Sequence, residues 1–150
     1  MKLDITDRKI IDILQENGRI TNTQLAAEIG ISPPAMLERV KRLEKEAVIR
    51  RYVALVDPDK LGKGIMAIVA VSLAVHELSS LDRFMREINK LEEVLECYHI
   101  TGDDDFVLKV VVQSVKEYES FVVQKLTRVQ GIRNIRTSII LSTVKYKTKI

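Results

Sequence analysis

The stretch GISPPAMLERVKRLE, residues 30–44, decides the reading of the first third of the chain. Gly30 supplies the left-handed residue that ends one helix, and after Ile31 alone the next helix begins. Ser32 offers a hydroxyl to the unpaired N–H groups of the new first turn. Pro33 fits the first helical position, where no N–H partner is lost. Met36, Val40, Leu43 and Ala47 then recur at i, i+4, i+7 and i+11, with Leu37 at the margin, so one side is apolar. Pro34, Ala35, Glu38, Arg39, Arg42 and Lys45 are left on the other side.

Reading backwards, Thr21 with Gln24 three residues later forms a capping box. Ile20 and Leu25 occupy the hydrophobic-staple positions, and Leu25, Ala26 and Ile29 face inward. Before them, Asp4 or Thr6 caps a helix carrying Ile10, Ile11 and Leu14, which Gly18 ends. Two such helices joined through Gly30, Ile31 and Ser32 make a helix-turn-helix, whose second helix enters the major groove N-terminus first. Small residues at that end let the backbone approach base edges, and its N–H groups favour a nearby phosphate. Arg39 and Arg42 reach guanine O6/N7 or phosphates; Glu38 either accepts from a cytosine amino group or pairs with Arg42 at i, i+4. The candidate DNA contacts are Thr21, Asn22, Ser32, Pro34, Ala35, Glu38, Arg39, Arg42, Lys45 and Arg50.

Bulk charge is a poor guide to this function. The chain has 150 residues, a net charge of +3 and a pI near 9.0, and its two halves are almost equally basic. The bases cluster locally from Arg39 to Arg51, as a phosphate-contacting surface or a solvated helix face would. With 46% hydrophobic and 30% charged residues, the composition suits a globular protein with a real core. No apolar run reaches the roughly 18 residues of a membrane span. The start, MKLDITDRK, lacks the apolar region of a secretory signal, and the single cysteine excludes an internal disulfide framework. A cytoplasmic, nucleoid-associated protein is the expectation.

Beyond residue 48 the pattern changes. Ile49–Val56 is rich in β-branched and aromatic residues and ends at Asp57-Pro58, so it reads as a hinge strand. The domains expected are 1–48, a hinge at 49–63, and 64–150. The last of these shows strand (Ile65–Val75), helix (opened by Ser79 with Asp82), strand (Val94–Thr101), strand (Asp105–Gln113), helix and strand (Arg133–Lys145). The second helix opens with a capping box of Ser114 and Glu117 and turns Val115, Tyr118, Val122 and Leu126 inward. The order βαββαβ describes a ferredoxin-like α+β sandwich, one antiparallel sheet with both helices on one face. Ile65, Ala67 and Val69 alternate with Met66, Ile68 and Ala70, so both faces of the first strand are apolar. An open apolar sheet face calls for a partner, most simply a second copy about a two-fold axis. In ITGDDDF, Gly102 allows close backbone approach by a ligand carboxylate, Asp103 and Asp105 accept from an α-ammonium, and Thr101 offers a hydroxyl; a solvated turn favours the same residues.

LDITDRKIIDILQENGRIT (3–21), GISPPAMLERVKRLE and ECYHITGDDDFVLKV (96–110) together resemble the leucine-responsive/asparagine regulator (Lrp/AsnC) family of transcription factors, over nearly the whole chain. The resemblance implies a winged or three-helix DNA-binding domain joined to a RAM-type sensing domain that dimerises through its sheet and assembles further to octamers. It implies an amino acid effector bound near Ile100, Thr101, Gly102, Asp103 and Asp105, with Thr137 and Ser138 on the last strand completing the pocket. Asp104 stands at a position often aromatic in that family. The extra charge there favours a basic effector or weakens the response to leucine-like ones.

Other classes fit less well. Two histidines and no triad or metalloprotease spacing leave no catalytic set. Cys97 and His99 share a strand face but are too few for a closed zinc site. No cofactor or metal is expected. The alternative is an amino-acid-binding or metal-sensing module without specific DNA binding.

Overall fold

The computed structural model describes residues 2–74 and 77–150. It comprises two compact units, Met1–Leu55 with Lys145–Ile150, and Val56–Val144. The chain passes between them inside the stretch read as the hinge, and the last six residues pack with the first unit although the sequence places them in 64–150.

The first unit is three helices, α1 (Ile5–Glu16), α2 (Asn22–Ile29) and α3 (Pro33–Lys45). Asp4 caps α1 in a reciprocal box with Asp7. Gly18 does not end α1 in the left-handed region; Asn17 closes it, donating its N–H to the Ile13 carbonyl and accepting the Arg19 N–H on its side chain. A side-chain acceptor there makes a left-handed residue unnecessary. α2 follows the sequence reading: Thr21 and Gln24 form the box, and Gly30 at φ 83° donates to Ala26. α3 starts at Ser32, whose Oγ accepts the Ala35 N–H at 3.4 Å. Ala47 is not part of the helix stripe. It lies beyond the end of α3, exposed and left-handed at φ 55°, so that Val48 and Ile49 can donate to the Leu43 carbonyl. Ile10, Leu25, Ala26, Met36, Val40 and Leu43 form the core.

Ile49–Val56 forms no hinge strand. Among the described residues it pairs with no strand, and Val53, Leu55 and Val56 are exposed. β-branched residues favour extended backbone, but a strand needs a neighbour's hydrogen bonds, which local sequence cannot supply. Among the described residues no wing flanks the three helices.

The second unit is β1 (Ile65–Leu73), α4 (Leu78–Ile88), β2 (Val94–His99), β3 (Phe106–Val112), α5 (Val115–Gln124) and β4 (Ile132–Ile139). Its sheet has the order β2-β3-β1-β4, antiparallel at every pairing, as the βαββαβ reading requires. Each strand is shorter than expected, and Val75, the expected end of the first, lies outside the described residues. Ser79 sits inside α4, whose N-cap Glu77 makes no side-chain cap bond. Ser114 caps α5, but Glu117 bonds the Gln113 N–H rather than that of Ser114. Val115 is exposed and Phe121 takes the buried position instead, because the stripe is set by where α5 meets the sheet.

Ala67, Val69, Val71, Leu73, Leu108 and Val110 join Phe84, Phe106 and Phe121 in the core. On the opposite sheet face Met66, Ile68 and Ala70 are half-buried, and Lys109 bridges to Glu96 at 3.0 Å. That face is apolar along β1 and polar towards β2.

Candidate DNA-binding helix and effector loop

The first turn of α3 is bare. Ser32, Pro33, Pro34 and Ala35 are all exposed, while Met36 directly behind them is fully buried. Glu38 and Lys45 are exposed on the same helix, and Glu38 makes no ion pair with Arg42 among the described residues. Thr21 and Asn22 open α2; the Thr21 hydroxyl is committed to its cap, accepting the Gln24 N–H at 3.2 Å. Arg50 lies elsewhere, lining an open cleft of 1030 Å³ formed by α1, residues 48–55, Thr148 and Ile150.

Arg39 and Arg42 are held from behind. Asp7, 1% exposed, accepts Arg39 Nη1 at 2.8 Å and Arg42 Nη2 at 2.8 and 2.9 Å, and Arg39 Nη1 also reaches Asp4 at 2.7 Å. The Asp7 N–H and then the Arg39 guanidinium hold the Asp4 carboxyl below its usual range. Sequence reading placed both arginines outward. The structure shows them clamping α3 to the start of α1, with Arg42 still half exposed. The signal was legible: Asp7, Ile10, Ile11 and Leu14 follow i, i+3, i+4 and i+7, which places a carboxylate on the inward stripe of α1, and a buried carboxylate needs cationic partners.

In the second unit, residues 100–105 form a loop tied at both ends. The Ile100 N–H donates to Asp105 O, and the Asp105 N–H donates to Val71 O, both at 2.9 Å. Asp105 Oδ2 accepts the Leu73 N–H at 2.6 Å, so that carboxylate holds the loop on β1. Gly102 has φ 129° and open space where a Cβ would stand, and Thr101 and Asp103 are exposed. Thr137 and Ser138 do not converge. Thr137 lies opposite Val69, on the helix side, where its hydroxyl meets the Tyr118 hydroxyl at 2.5 Å; Ser138 lies opposite Ile68 on the other face. Strand alternation separates neighbours in this way.

Asp104 does not present the free negative charge expected of it. It is 8% exposed, accepts the Ser72 hydroxyl at 2.9 Å on Oδ1, and pairs through Oδ2 with Arg136. Its charge is compensated inside the unit, which removes the argument for a basic effector. Neither Ser72 nor Arg136 was singled out from sequence.

Residues 3–50 match the family model described as winged helix-turn-helix DNA-binding, and residues 66–150 match that of the Lrp/AsnC ligand binding domain. The chain belongs to the Lrp/AsnC family. The leucine-responsive regulatory protein of Haemophilus influenzae is 39% identical over 95% of this chain and 86% of its own length. Transcriptional regulator AzlB of Bacillus subtilis is 36% identical over 95% and 91%. Among solved structures, a transcriptional regulator from Neisseria meningitidis in an L-Met complex superposes at TM-score 0.94, with 33% identity over 99% of this chain and 96% of that one.

Like its Lrp/AsnC relatives, which are transcriptional regulators and not enzymes, the protein joins a DNA-binding helix-turn-helix to a ligand-binding domain. Among the described residues no group of three His, Cys, Asp or Glu stands together to hold a metal ion, and no helix is long and apolar enough to cross a membrane. His99 stacks on Phe106 at 4.8 Å, and Cys97 is exposed, with partial desolvation raising its thiol pKa. His76 lies outside the described residues.

Proposed function

We propose that this regulator binds specific duplex DNA through the first turn of α3, as a homodimer or an octamer, and that an amino acid at loop 100–105 shifts that assembly. The observation that carries the first part is the exposed Ser32–Ala35 turn, small and capped, backed by a buried Met36. A helix end of that shape lets backbone N–H groups meet phosphate while Glu38 reaches base edges. The partly apolar face around Met66, Ile68 and Ala70 supports pairing of two sensing units. Two recognition helices then sit at half-sites about 34 Å or a multiple apart. The L-Met complex of the Neisseria meningitidis regulator supports an amino acid effector. Effector and DNA affect one another only through different affinities for the assembly states. The setting is the cytoplasm, on the nucleoid.

The test is selection of bound duplexes from a random pool, followed by titration at several salt concentrations with and without each amino acid. Affinity for the selected site should fall steeply with salt, and Lys45→Ala should flatten the log–log slope by about one. Glu38→Ala should relax the preference at one base pair by about 1–3 kcal/mol. Arg39→Ala should weaken all sequences alike, because its ion pairs hold α3 against α1. A pool that yields no enriched sequence would favour a ligand-binding module without specific DNA recognition.

A further inference from the structure

Ser72, Asp104 and Arg136 form a polar cluster on the sheet face turned away from the core, beside Ala70. Ser72 is 3% exposed and Asp104 8%, whereas the Arg136 side chain is 64% exposed. A buried carboxylate therefore grips one nitrogen of an arginine whose other face is open. Arg136 Nε and Nη1 make no hydrogen bond among the described residues. Arg136 lies on edge strand β4 opposite Ala70, at the loop end of the face proposed above to pair with a second copy, and the Asp104 it grips lies in the same loop as Gly102, where a Cβ would meet nothing.

Such an arrangement is preorganised for an anion. A buried acid is costly unless charged donors satisfy it, so Asp104 fixes the position of Arg136. A guanidinium is a rigid fork of donors, and the edge that Asp104 leaves open matches the two oxygens of a second carboxylate. Asp103, exposed on the same loop, is placed for an ammonium group, while Asp105 is committed to the Leu73 N–H. Charge compensation within the Asp104–Arg136 pair leaves little net repulsion towards an incoming carboxylate.

We propose that Arg136 is the specificity-determining residue of the effector loop, taking a carboxylate of the effector, and that Asp104 positions it. This rests on reading residues 100–105 as the effector site. The carboxylate is either the α-carboxylate of any amino acid or the side-chain carboxylate of an acidic one.

The test is calorimetry on the full chain with each of the twenty amino acids, with L-methioninol and L-methionine as a matched pair. The variants are Arg136→Met, Arg136→Lys, Asp104→Asn and the double variant Asp104→Asn/Arg136→Met, each checked for an unchanged melting transition. The wild type should bind the acid at least about tenfold more tightly than the alcohol, and Arg136→Met should erase that preference. Arg136→Lys, charged but without the fork, should restore part of it; should Arg136→Met melt early, this variant carries the comparison. Asp104→Asn should weaken binding in the wild type but not on top of Arg136→Met, an outcome a merely structural role would not give. Loss of preference for methionine and glutamate alike identifies the α-carboxylate; loss for glutamate alone identifies the side-chain group. Wild-type affinity in Arg136→Met overturns the proposal and leaves the effector loop standing. A wild type that binds none of the twenty overturns both.

Discussion

Asp7→Ala is expected to lose about 3 kcal/mol of stability in the helix-turn-helix unit and with it most operator binding. Asp7 is buried, yet it is the shared acceptor for Arg39 and Arg42 and half of the α1 capping box. Removing one member of a buried ion pair costs about 3–5 kcal/mol when the remaining charge stays buried. Here both arginines are partly exposed and can regain water, which puts the cost at the low end of that range. A three-helix unit of this size holds on the order of 3–9 kcal/mol in total. The loss should therefore appear as a melting midpoint lower by more than about 10 °C, followed by calorimetry or circular dichroism. Asp7→Asn, which keeps the shape and loses the charge, should fall between. A variant that melts and binds DNA like the wild type would mean that the arginines are held by their own helix alone.

The same cluster predicts an acid limit. The folded Asp4 carboxyl titrates below the 3.8 of the unfolded chain, held down first by the Asp7 N–H and then by Arg39. Its stabilisation is complete above 3.8 and is lost as pH falls through the lower folded value. Acid unfolding followed below about pH 4 should be shallower in Asp4→Asn than in the wild type.

Phe106→Ala should have the largest effect in the sensing unit, about 3–5 kcal/mol in urea unfolding. Phe106 is 1% exposed, its ring centroid is 4.4 Å from that of Phe84, and His99 stacks on it at 4.8 Å. The truncation removes transfer energy, leaves a cavity in a close-packed core and breaks an aromatic pair worth about 0.5–1.5 kcal/mol. Phe106 also opens β3 directly after Asp105, whose backbone and carboxylate fasten loop 100–105 to β1. With loop 100–105 as the proposed effector site, effector binding should therefore be lost along with stability. Phe106→Leu, closer in volume, should cost less than about 1.5 kcal/mol and keep binding. If alanine is tolerated as well as leucine, the core around α4 and β3 is not the close-packed unit described above.

The sequence by itself determined the three helices of the first unit, the βαββαβ order of the second and the family. Thr21 with Gln24, Ser32 with Pro33, and Gly30 before them are local devices. Each satisfies hydrogen bonds within a few residues, so the order of residues is enough to read them, and the βαββαβ order followed from alternation and length. What only tertiary structure decided involves partners far apart in the chain. Asp7 meets Arg39 and Arg42 across 32 and 35 residues, and Asp104 meets Ser72 and Arg136, each 32 residues away. The extended chain after Ile49 gained no ladder, because no neighbouring strand among the described residues came within reach. A charged side chain's role depends on which opposite charge folding brings within reach, and Coulomb energy in a poorly solvated site depends on distance in space rather than separation along the chain.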